Sequence, residues 1–265
     1  MKIGVFDSGV GGLTVLKELV KQAPQADYLY FGDTARLPYG SKSAETVAKY
    51  TISACKFLHH HGAEMMVIAC NTATSLALPE ITKAMEVPVI GVVEPGADAA
   101  AKISKSKKVA VIATAGTVGS HAYKRALASR GIEGHEQACP LFVPLVEEGW
   151  TDHPVTENVA HIYMDEVFRN GSKDTDVLVL GCTHYPLLRP LLCRVVPKHV
   201  VIVDSAESTA ATVARQLSAQ TRTAVPDTNP KLSFFATDSV DKFRKLGERF
   251  LGHRIENVQH VDIEA

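Results

Sequence analysis

Short runs of apolar residues recur along the chain, and each is followed by a stretch with helical, amphipathic spacing. Because the runs are continuously apolar and do not alternate with polar residues, they are typical of strands buried on both faces of a parallel sheet. The alternation of strands and helices therefore predicts an α/β fold with doubly wound sheets. The predicted strands are Ile3–Phe6, Tyr28–Phe31, Met65–Ala69, Val87–Val93, Val109–Ala113, Val177–Leu180 and Val200–Val203, and the clearest helices are Leu13–Lys21, Ser43–His61 and Thr209–Leu217.

Two of these strands end in the same way. Residues 66–72 read Met-Val-Ile-Ala-Cys-Asn-Thr and residues 178–184 read Leu-Val-Leu-Gly-Cys-Thr-His, so a cysteine follows each strand. Cys70 and Cys182 are separated by roughly the length of one α/β domain. In open α/β sheets, ligands bind beyond the carboxyl ends of the strands. We therefore expect two similar domains with parallel sheets and an active site between them.

Composition excludes several classes of function. The chain has 265 residues, of which 46% are hydrophobic and 22% charged, and its net charge of −1 does not favour binding to nucleic acid or a membrane surface. We expect no signal peptide and no membrane span, since no apolar run reaches ~18 residues. The five cysteines are odd in number and irregularly spaced, which indicates free thiols in a cytoplasmic protein.

The two strand-end cysteines are candidates for acid/base chemistry. Asn71 or Thr72 is a plausible cap for a following helix, and a helix N-terminus lowers the pKa of a nearby thiol and binds carboxylates. His184 stands two residues beyond Cys182, where an imidazole can tune the thiol or relay its proton. The alternative is that each cysteine is a small buried hydrophobe. That alternative accounts less well for two cysteines in matching contexts.

Polar loops follow other predicted strands. The glycine-rich segment 7–14 lacks the lysine of a Walker loop and the third small residue of a dinucleotide fingerprint. It fits either a backbone that approaches a small anion, with Asp7 and Ser8 beside it, or a tight turn without function. Segment 33–40 is placed to close over a site, and segment 113–120 fits ordinary helix capping. Glu147 or Glu148 is available to orient His184, whereas the three histidines at 59–61 lack the spacing of a metal site.

Taken together and in this order, these motifs closely resemble the glutamate racemases of the aspartate/glutamate racemase superfamily. The resemblance is carried by Asp7-Ser8-Gly9, segment 33–40, segment 69–74, Glu147 and segment 181–186, and extends to segment 203–206 and segment 234–252. It implies a first domain formed by residues 1–95 and 206–265 and a second formed by residues 96–205. It also implies a cytoplasmic homodimer that makes D-glutamate for peptidoglycan synthesis without cofactor or metal.

The resemblance also assigns the site. Its implied catalytic residues are Cys70 and Cys182, assisted by Asp7, Asp33, Glu147 and His184. Its implied substrate contacts come from Asp7, Ser8, Tyr39, Gly40, Asn71, Thr72, Thr183 and His184, and from Thr114 or Thr117. Cys70 is expected to deprotonate the D-isomer and Cys182 the L-isomer.

Three other functions stay open from the sequence. A related isomerase acting on aspartate, a hydantoin or maleate would keep both cysteines and change the pocket. A hydrolase or transferase would need one nucleophilic cysteine and a histidine base, which leaves the second cysteine motif unexplained. A small-anion-binding module would show no turnover.

Overall fold

The computed structural model describes residues 1–170, 174–220 and 229–263. Within these ranges the chain alternates between strands and helices. The strands are β1 (Lys2–Asp7), β2 (Asp27–Gly32), β3 (Met65–Ile68), β4 (Val89–Gly91), β5 (Lys108–Ala113), β6 (Glu133–Ala138), β7 (Val177–Gly181), β8 (Val201–Asp204), β9 (Leu232–Ala236) and β10 (Val258–His260). The α-helices are α1 (Leu13–Gln22), α2 (Ala44–His60), α3 (Asn71–Ala84), α4 (Val93–Ile103), α5 (Ala115–Ser120), α6 (Ala122–Ala128), α7 (Phe142–Glu147), α8 (Pro154–Asn170), α9 (Arg189–Val195), α10 (Ser205–Gln220) and α11 (Val240–Leu251).

The strands form two parallel sheets, as the sequence predicts. The six-stranded sheet has the order β10-β9-β2-β1-β3-β4, and the four-stranded sheet has the order β6-β5-β7-β8. Every paired strand runs parallel to its neighbour. Four strands of the first sheet, β2-β1-β3-β4, and the four of the second, β6-β5-β7-β8, have the same order. Numbered by chain order within each set of four, that order is second-first-third-fourth. The cysteines occupy equivalent positions in the two sheets, because Cys70 follows β3 and Cys182 follows β7.

Four strands differ from the expected pattern. The segment predicted as a strand over Val87–Val93 is a strand only at β4, because α4 begins at Val93. The sequence pattern does not predict the strands β6, β9 and β10. β6 is a half-exposed edge strand whose sequence, Glu-Gly-His-Glu-Gln-Ala, is too polar to be recognised as apolar.

The apolar side chains join the two sheets into one core. A continuous hydrophobic cluster contains Val5 of the first sheet together with Ile112 and Leu180 of the second. α10 follows the last strand of the second sheet and packs against α1, which flanks the first. Among the described residues, no helix is both long and apolar enough to cross a membrane.

The division into residues 1–95 with 206–265 and residues 96–205 stays a prediction. The strands are distributed in keeping with it: β9 and β10 join the sheet that begins with β1, and β5 to β8 form the other.

Candidate active site

A cavity of about 480 Å³ lies where loops from the two sheets meet. Loops beyond the carboxyl ends of β1, β2 and β3 line it from one side, and loops beyond β5, β6 and β7 line it from the other. The lining residues are Ser8, Leu37, Pro38, Tyr39, Gly40, Ser41, Cys70, Asn71, Thr72, Thr114, Ala115, Pro140, Val143, Pro144, Glu147, Cys182, Thr183 and His184. Both candidate cysteines are therefore brought to one cavity.

Cys70 is itself the N-cap of α3, so the prediction of Asn71 or Thr72 as the cap is wrong. Its Sγ lies 3.5 Å from the backbone N–H of Ala73 and 3.6 Å from Ser8 Oγ. The predicted lowering of its pKa is also wrong: burial, followed by the negative charge of Asp7, raises the pKa of the Cys70 thiol to about 12. The helix N–H and Ser8 oppose this rise but do not overcome it. Cys70 is accordingly a thiol at neutral pH.

Cys182 has a different local setting. It follows Gly181, the last residue of β7, but the next helical turn does not begin until Tyr185. Its surroundings therefore match those of Cys70 at the strand end and not at the helix cap. Its Sγ lies 4.0 Å from Nδ1 of His184. Both thiols are nearly inaccessible, with 5% of Cys70 and 6% of Cys182 exposed.

His184 lies between a thiol and a carboxylate. Its Nε2 is 3.2 Å from Oε1 of Glu147, the pairing that the sequence suggests. Burial by itself lowers the pKa of His184, but hydrogen bonds with Cys182 and Glu147 and the charges of Cys182 and Asp7 raise it to about 10. The hydrogen bond from His184 in turn lowers the pKa of Glu147, against the effect of burial. At neutral pH the pair is an imidazolium and a carboxylate.

Asp7 lies behind the cavity wall. Its carboxylate accepts from the backbone N–H of Gly9 at 2.9 Å and from the hydroxyl of Thr183 at 3.5 Å. Burial raises its pKa, and the charge of His184 and the hydrogen bonds oppose the rise. Asp7 thus holds Thr183, which does line the cavity.

Asp33 is also buried outside the cavity. Its carboxylate accepts hydrogen bonds from the hydroxyls of Tyr39 at 2.5 Å and Thr237 at 2.9 Å, and pairs with Arg36 at 3.0 Å. These bonds hold the loop that carries Tyr39 and Gly40 into the cavity wall. The placement supports an indirect role for Asp33, since its neighbours and not its own oxygens face the cavity.

Hydroxyl groups meet across the two sheets. Thr72 Oγ1 lies 3.0 Å from Thr114 Oγ1 and 3.4 Å from Thr117 Oγ1, and the last two lie 3.1 Å apart. Thr72 and Thr114 line the cavity, whereas Thr117 is buried behind them. Gly40 packs against Thr114, where an added Cβ would lie 3.2 Å from the threonine Cβ.

The glycine-rich segment 7–14 packs against the loop that carries Cys182. A Cβ on Gly11 would lie 2.5 Å from His184 Nδ1 and would also overlap the hydroxyl of Thr183. The hydroxyl of Thr14 lies 3.1 Å from the carbonyl of Thr183 and 2.9 Å from that of Gly11. The absence of a side chain at Gly11 therefore lets the loop after β1 pack directly against the loop that carries Cys182. Ser8 is the residue of this segment that reaches the cavity.

No group of three or more histidines, cysteines or acidic residues is close enough to hold a metal ion in the ranges that the structure describes. The histidines at 59–61 lie at the end of α2, as the sequence indicates. Cys55 and Cys139 are buried, whereas Cys193 is exposed.

The model of the family described as Asp/Glu/Hydantoin racemase matches residues 3–213. The chain belongs to this family, among the glutamate racemases. It is 58% identical to the glutamate racemase of Koribacter versatilis (strain Ellin345), over 98% of this chain and 97% of that protein.

Solved structures agree with this assignment. The fold matches the crystal structure of glutamate racemase from Thermus thermophilus in complex with beta-chloro-D-alanine, with a TM-score of 0.87, 46% identity, and coverage of 98% of this chain and 96% of that one. It also matches the glutamate racemase from Francisella tularensis subsp. tularensis SCHU S4 in complex with D-glutamate, with a TM-score of 0.88, 34% identity, and coverage of 98% and 97%.

Several residues around the candidate site are not part of any motif recognised in the sequence. Pro140, Val143 and Pro144 contribute to an apolar wall of the cavity. None of these residues carries a chemical signature, so only their position in space identifies them. Tyr123 of α6, which contacts Asn71, is likewise hidden in an ordinary helical stretch of sequence.

Proposed function

We propose that the protein interconverts L- and D-glutamate by a two-base mechanism in which Cys70 and Cys182 are the acid and the base. The observation that carries the proposal is that two buried cysteines line one cavity. Cys70 follows β3 and Cys182 follows β7, the third strand of each sheet in chain order. The identity to named glutamate racemases and the D-glutamate bound by the relative from Francisella support glutamate as the substrate. The product D-glutamate would serve peptidoglycan synthesis.

Racemisation requires removing the α-proton from one face of the carbon and delivering a proton to the other. In the proposed L-to-D direction, a Cys182 thiolate takes the α-proton and the Cys70 thiol donates its own proton to the opposite face. A Cys70 pKa of about 12 suits this role, because the thiol keeps its proton until the carbanion forms. The turnover leaves Cys182 protonated and Cys70 ionised, which is the state required for the D-isomer. Both acid and base are protein thiols, so the mechanism uses no cofactor.

The neighbouring groups support the two thiols in this mechanism. The imidazolium of His184 lies beside Cys182 and is held by Glu147, so it stabilises negative charge on that side. Asp7 orients Thr183 and Asp33 orients Tyr39, which makes both aspartates positioning residues in this proposal. The donors available to the substrate carboxylates are Ser8, Asn71, Thr72, Thr114, Thr183 and the backbone around Gly40.

The decisive experiment incubates the protein with L-glutamate and D-glutamate separately in D₂O without added cofactor. We expect deuterium at the α-carbon together with loss of optical activity from either isomer. No exchange with either isomer would refute the proposal. Aspartate, a hydantoin and maleate, tested in parallel, identify the related isomerases.

Single substitutions test the two-base part. Cys70→Ser and Cys182→Ser should each lower racemisation by at least about 100-fold, since a general acid or base contributes 10²–10⁴-fold. Cys193→Ser is the matched control, because that cysteine is exposed and remote from the cavity lining. Full activity in either cavity variant would overturn the mechanism. A trapped acyl-enzyme would instead indicate a hydrolase or transferase.

The proposal includes a homodimer that acts in the cytoplasm. The five free cysteines suit a reducing compartment. Sedimentation velocity measures the assembly directly, and a protein that sediments as a monomer at assay concentration would contradict the dimer.

A further inference from the structure

The side-chain amide of Asn71 has a hydrogen-bond partner at its oxygen and none at its nitrogen among the described residues. It is the first residue of α3, it lines the cavity, and it is only 3% exposed. Its Oδ1 accepts a hydrogen bond of 2.7 Å from the hydroxyl of Tyr123. Its Nδ2 is buried and has no hydrogen-bond partner among the residues that the structure describes. A buried amide donor without a partner is unfavourable, so this end of the side chain is suited to an acceptor on a ligand.

Tyr123 determines which atom of the Asn71 amide is hydrogen-bonded within the protein. The phenol hydroxyl of Tyr123 donates to Asn71 Oδ1, so the amide oxygen is the end that faces the phenol. The amide therefore turns its oxygen to Tyr123 and keeps its nitrogen for another partner.

The ring of Tyr123 is held tightly. It is completely buried, and a Cβ on Gly96 would lie 3.2 Å from its hydroxyl, while a Cβ on Gly181 would lie 3.1 Å from its Cε2. Two glycines thus leave room for the ring but little room for it to move. Tyr123 follows β5 of the four-stranded sheet, whereas Asn71 follows β3 of the six-stranded sheet. The hydrogen bond therefore joins the two sides of the cavity.

We propose that Tyr123 is a positioning residue that fixes the Asn71 amide so that Nδ2 donates to a carboxylate of the substrate. The inference rests on the proposed function, because it takes an amino acid with carboxylate groups as the ligand. Tyr123 itself does not line the cavity and acts only through Asn71.

A double-mutant cycle tests this indirect action. Tyr123→Phe keeps the ring and removes the hydroxyl, and we expect KM for both isomers to rise about five- to tenfold while kcat changes less. In the Asn71→Ala background, Tyr123→Phe should have no further effect, because the residue through which it acts is gone. An equal loss in both backgrounds would show that Tyr123 acts by another route and would overturn the inference. Dissociation constants for D-glutamate, measured by calorimetry on the same four proteins, extend the comparison to variants with little turnover.

Asn71→Asp tests the direction of the hydrogen bond. An aspartate still accepts from Tyr123, but it presents a negative oxygen where the amide nitrogen stood. We expect Asn71→Asp to weaken D-glutamate binding more than Asn71→Ala does. If Asn71→Asp binds as well as the wild type, the amide acts as an acceptor and the inference is wrong.

Two controls separate the possible failures. Tyr28→Phe removes another buried tyrosine hydroxyl, one that donates to the backbone carbonyls of Leu19 and Ala23, and should leave KM unchanged. An equal KM increase in Tyr28→Phe would assign the effect to general destabilisation and overturn the inference. Wild-type turnover is measured first, so failure of glutamate racemisation is recognised separately. The cycle is then measured on the dissociation constant of whichever dicarboxylate, aspartate or maleate, the wild type binds.

Discussion

Replacing Glu147 with glutamine tests how His184 is kept protonated. Glu147 is partly exposed at 22% and His184 is buried, and the two side chains lie 3.2 Å apart. Glutamine has the size of glutamate and can still accept a hydrogen bond from the imidazole. The substitution therefore removes the negative charge and leaves the geometry intact.

The magnitude follows from the two kinds of hydrogen bond. A hydrogen bond to a charged group contributes about 1.5–3 kcal/mol, and a neutral one about 0.5–1.5 kcal/mol. The difference of about 1–1.5 kcal/mol corresponds to about one pKa unit. We expect the pKa of His184 to fall from about 10 by about one unit in Glu147→Gln, with Cys182 and Asp7 still holding it above its usual value.

NMR titration of the labelled imidazole measures this shift directly. Glu148→Gln is the matched control, because Glu148 is the next residue in the chain and is exposed. It should leave the pKa of His184 unchanged. A shift below about 0.3 units in Glu147→Gln, or an equal shift in Glu148→Gln, would refute the argument that the 3.2 Å contact maintains the imidazolium.

Three further predictions follow from the packing and the charges. Gly11→Ala should lower kcat/KM by more than about tenfold, because its Cβ would lie 2.5 Å from His184 Nδ1, while Gly119→Ala, which meets no atom within 4 Å, should leave steady-state kinetics unchanged. Activity retained in Gly11→Ala would mean that the two loops separate at little cost. Asp33→Asn should raise KM more than it lowers kcat, since Asp33 acts through Tyr39; a loss confined to kcat would indicate a direct catalytic role. The pKa of His184 is about 10 in the folded protein and 6.5 in the unfolded chain, so its stabilising contribution is complete below about pH 6.5 and is lost as pH rises toward 10. Chemical denaturation should therefore show a difference in free energy of unfolding between wild type and His184→Gln that shrinks over this range, and a difference that grows would contradict the assignment.

The sequence predicts the fold where strands are buried on both faces. β1, β2, β3, β5 and β7 lie inside the sheets and β8 is an apolar edge strand, so the positions of all six follow from the hydrophobic pattern. β6 is missed because its residues are polar and half exposed. The shared strand order of the two sheets is also not evident from the sequence. The two sheets differ in their strand residues and in the helices that connect their strands.

The sequence predicts which residues form the site better than it predicts their pKa values. Cys70, Cys182, Glu147 and His184 meet at one cavity because strand-end positions converge in parallel sheets. The pKa of Cys70 has the opposite shift from the one expected, since the sequence reveals the helix N-terminus but not the burial or the charge of Asp7. Contacts such as Tyr123 with Asn71 depend on two distant elements meeting and have no local signature.

The unlike surroundings of the two thiols have a thermodynamic consequence. One thiol has Ser8 and a helix N–H as neighbours, and the other has an imidazolium. Mirror-image substrates have equal free energies in water, so for racemisation of a single amino acid kcat/KM must be identical in both directions. The structural asymmetry can therefore appear only as a compensated difference, in which the isomer with the higher kcat also has the higher KM. Every substitution in the cavity, however one-sided its position, must obey the same balance.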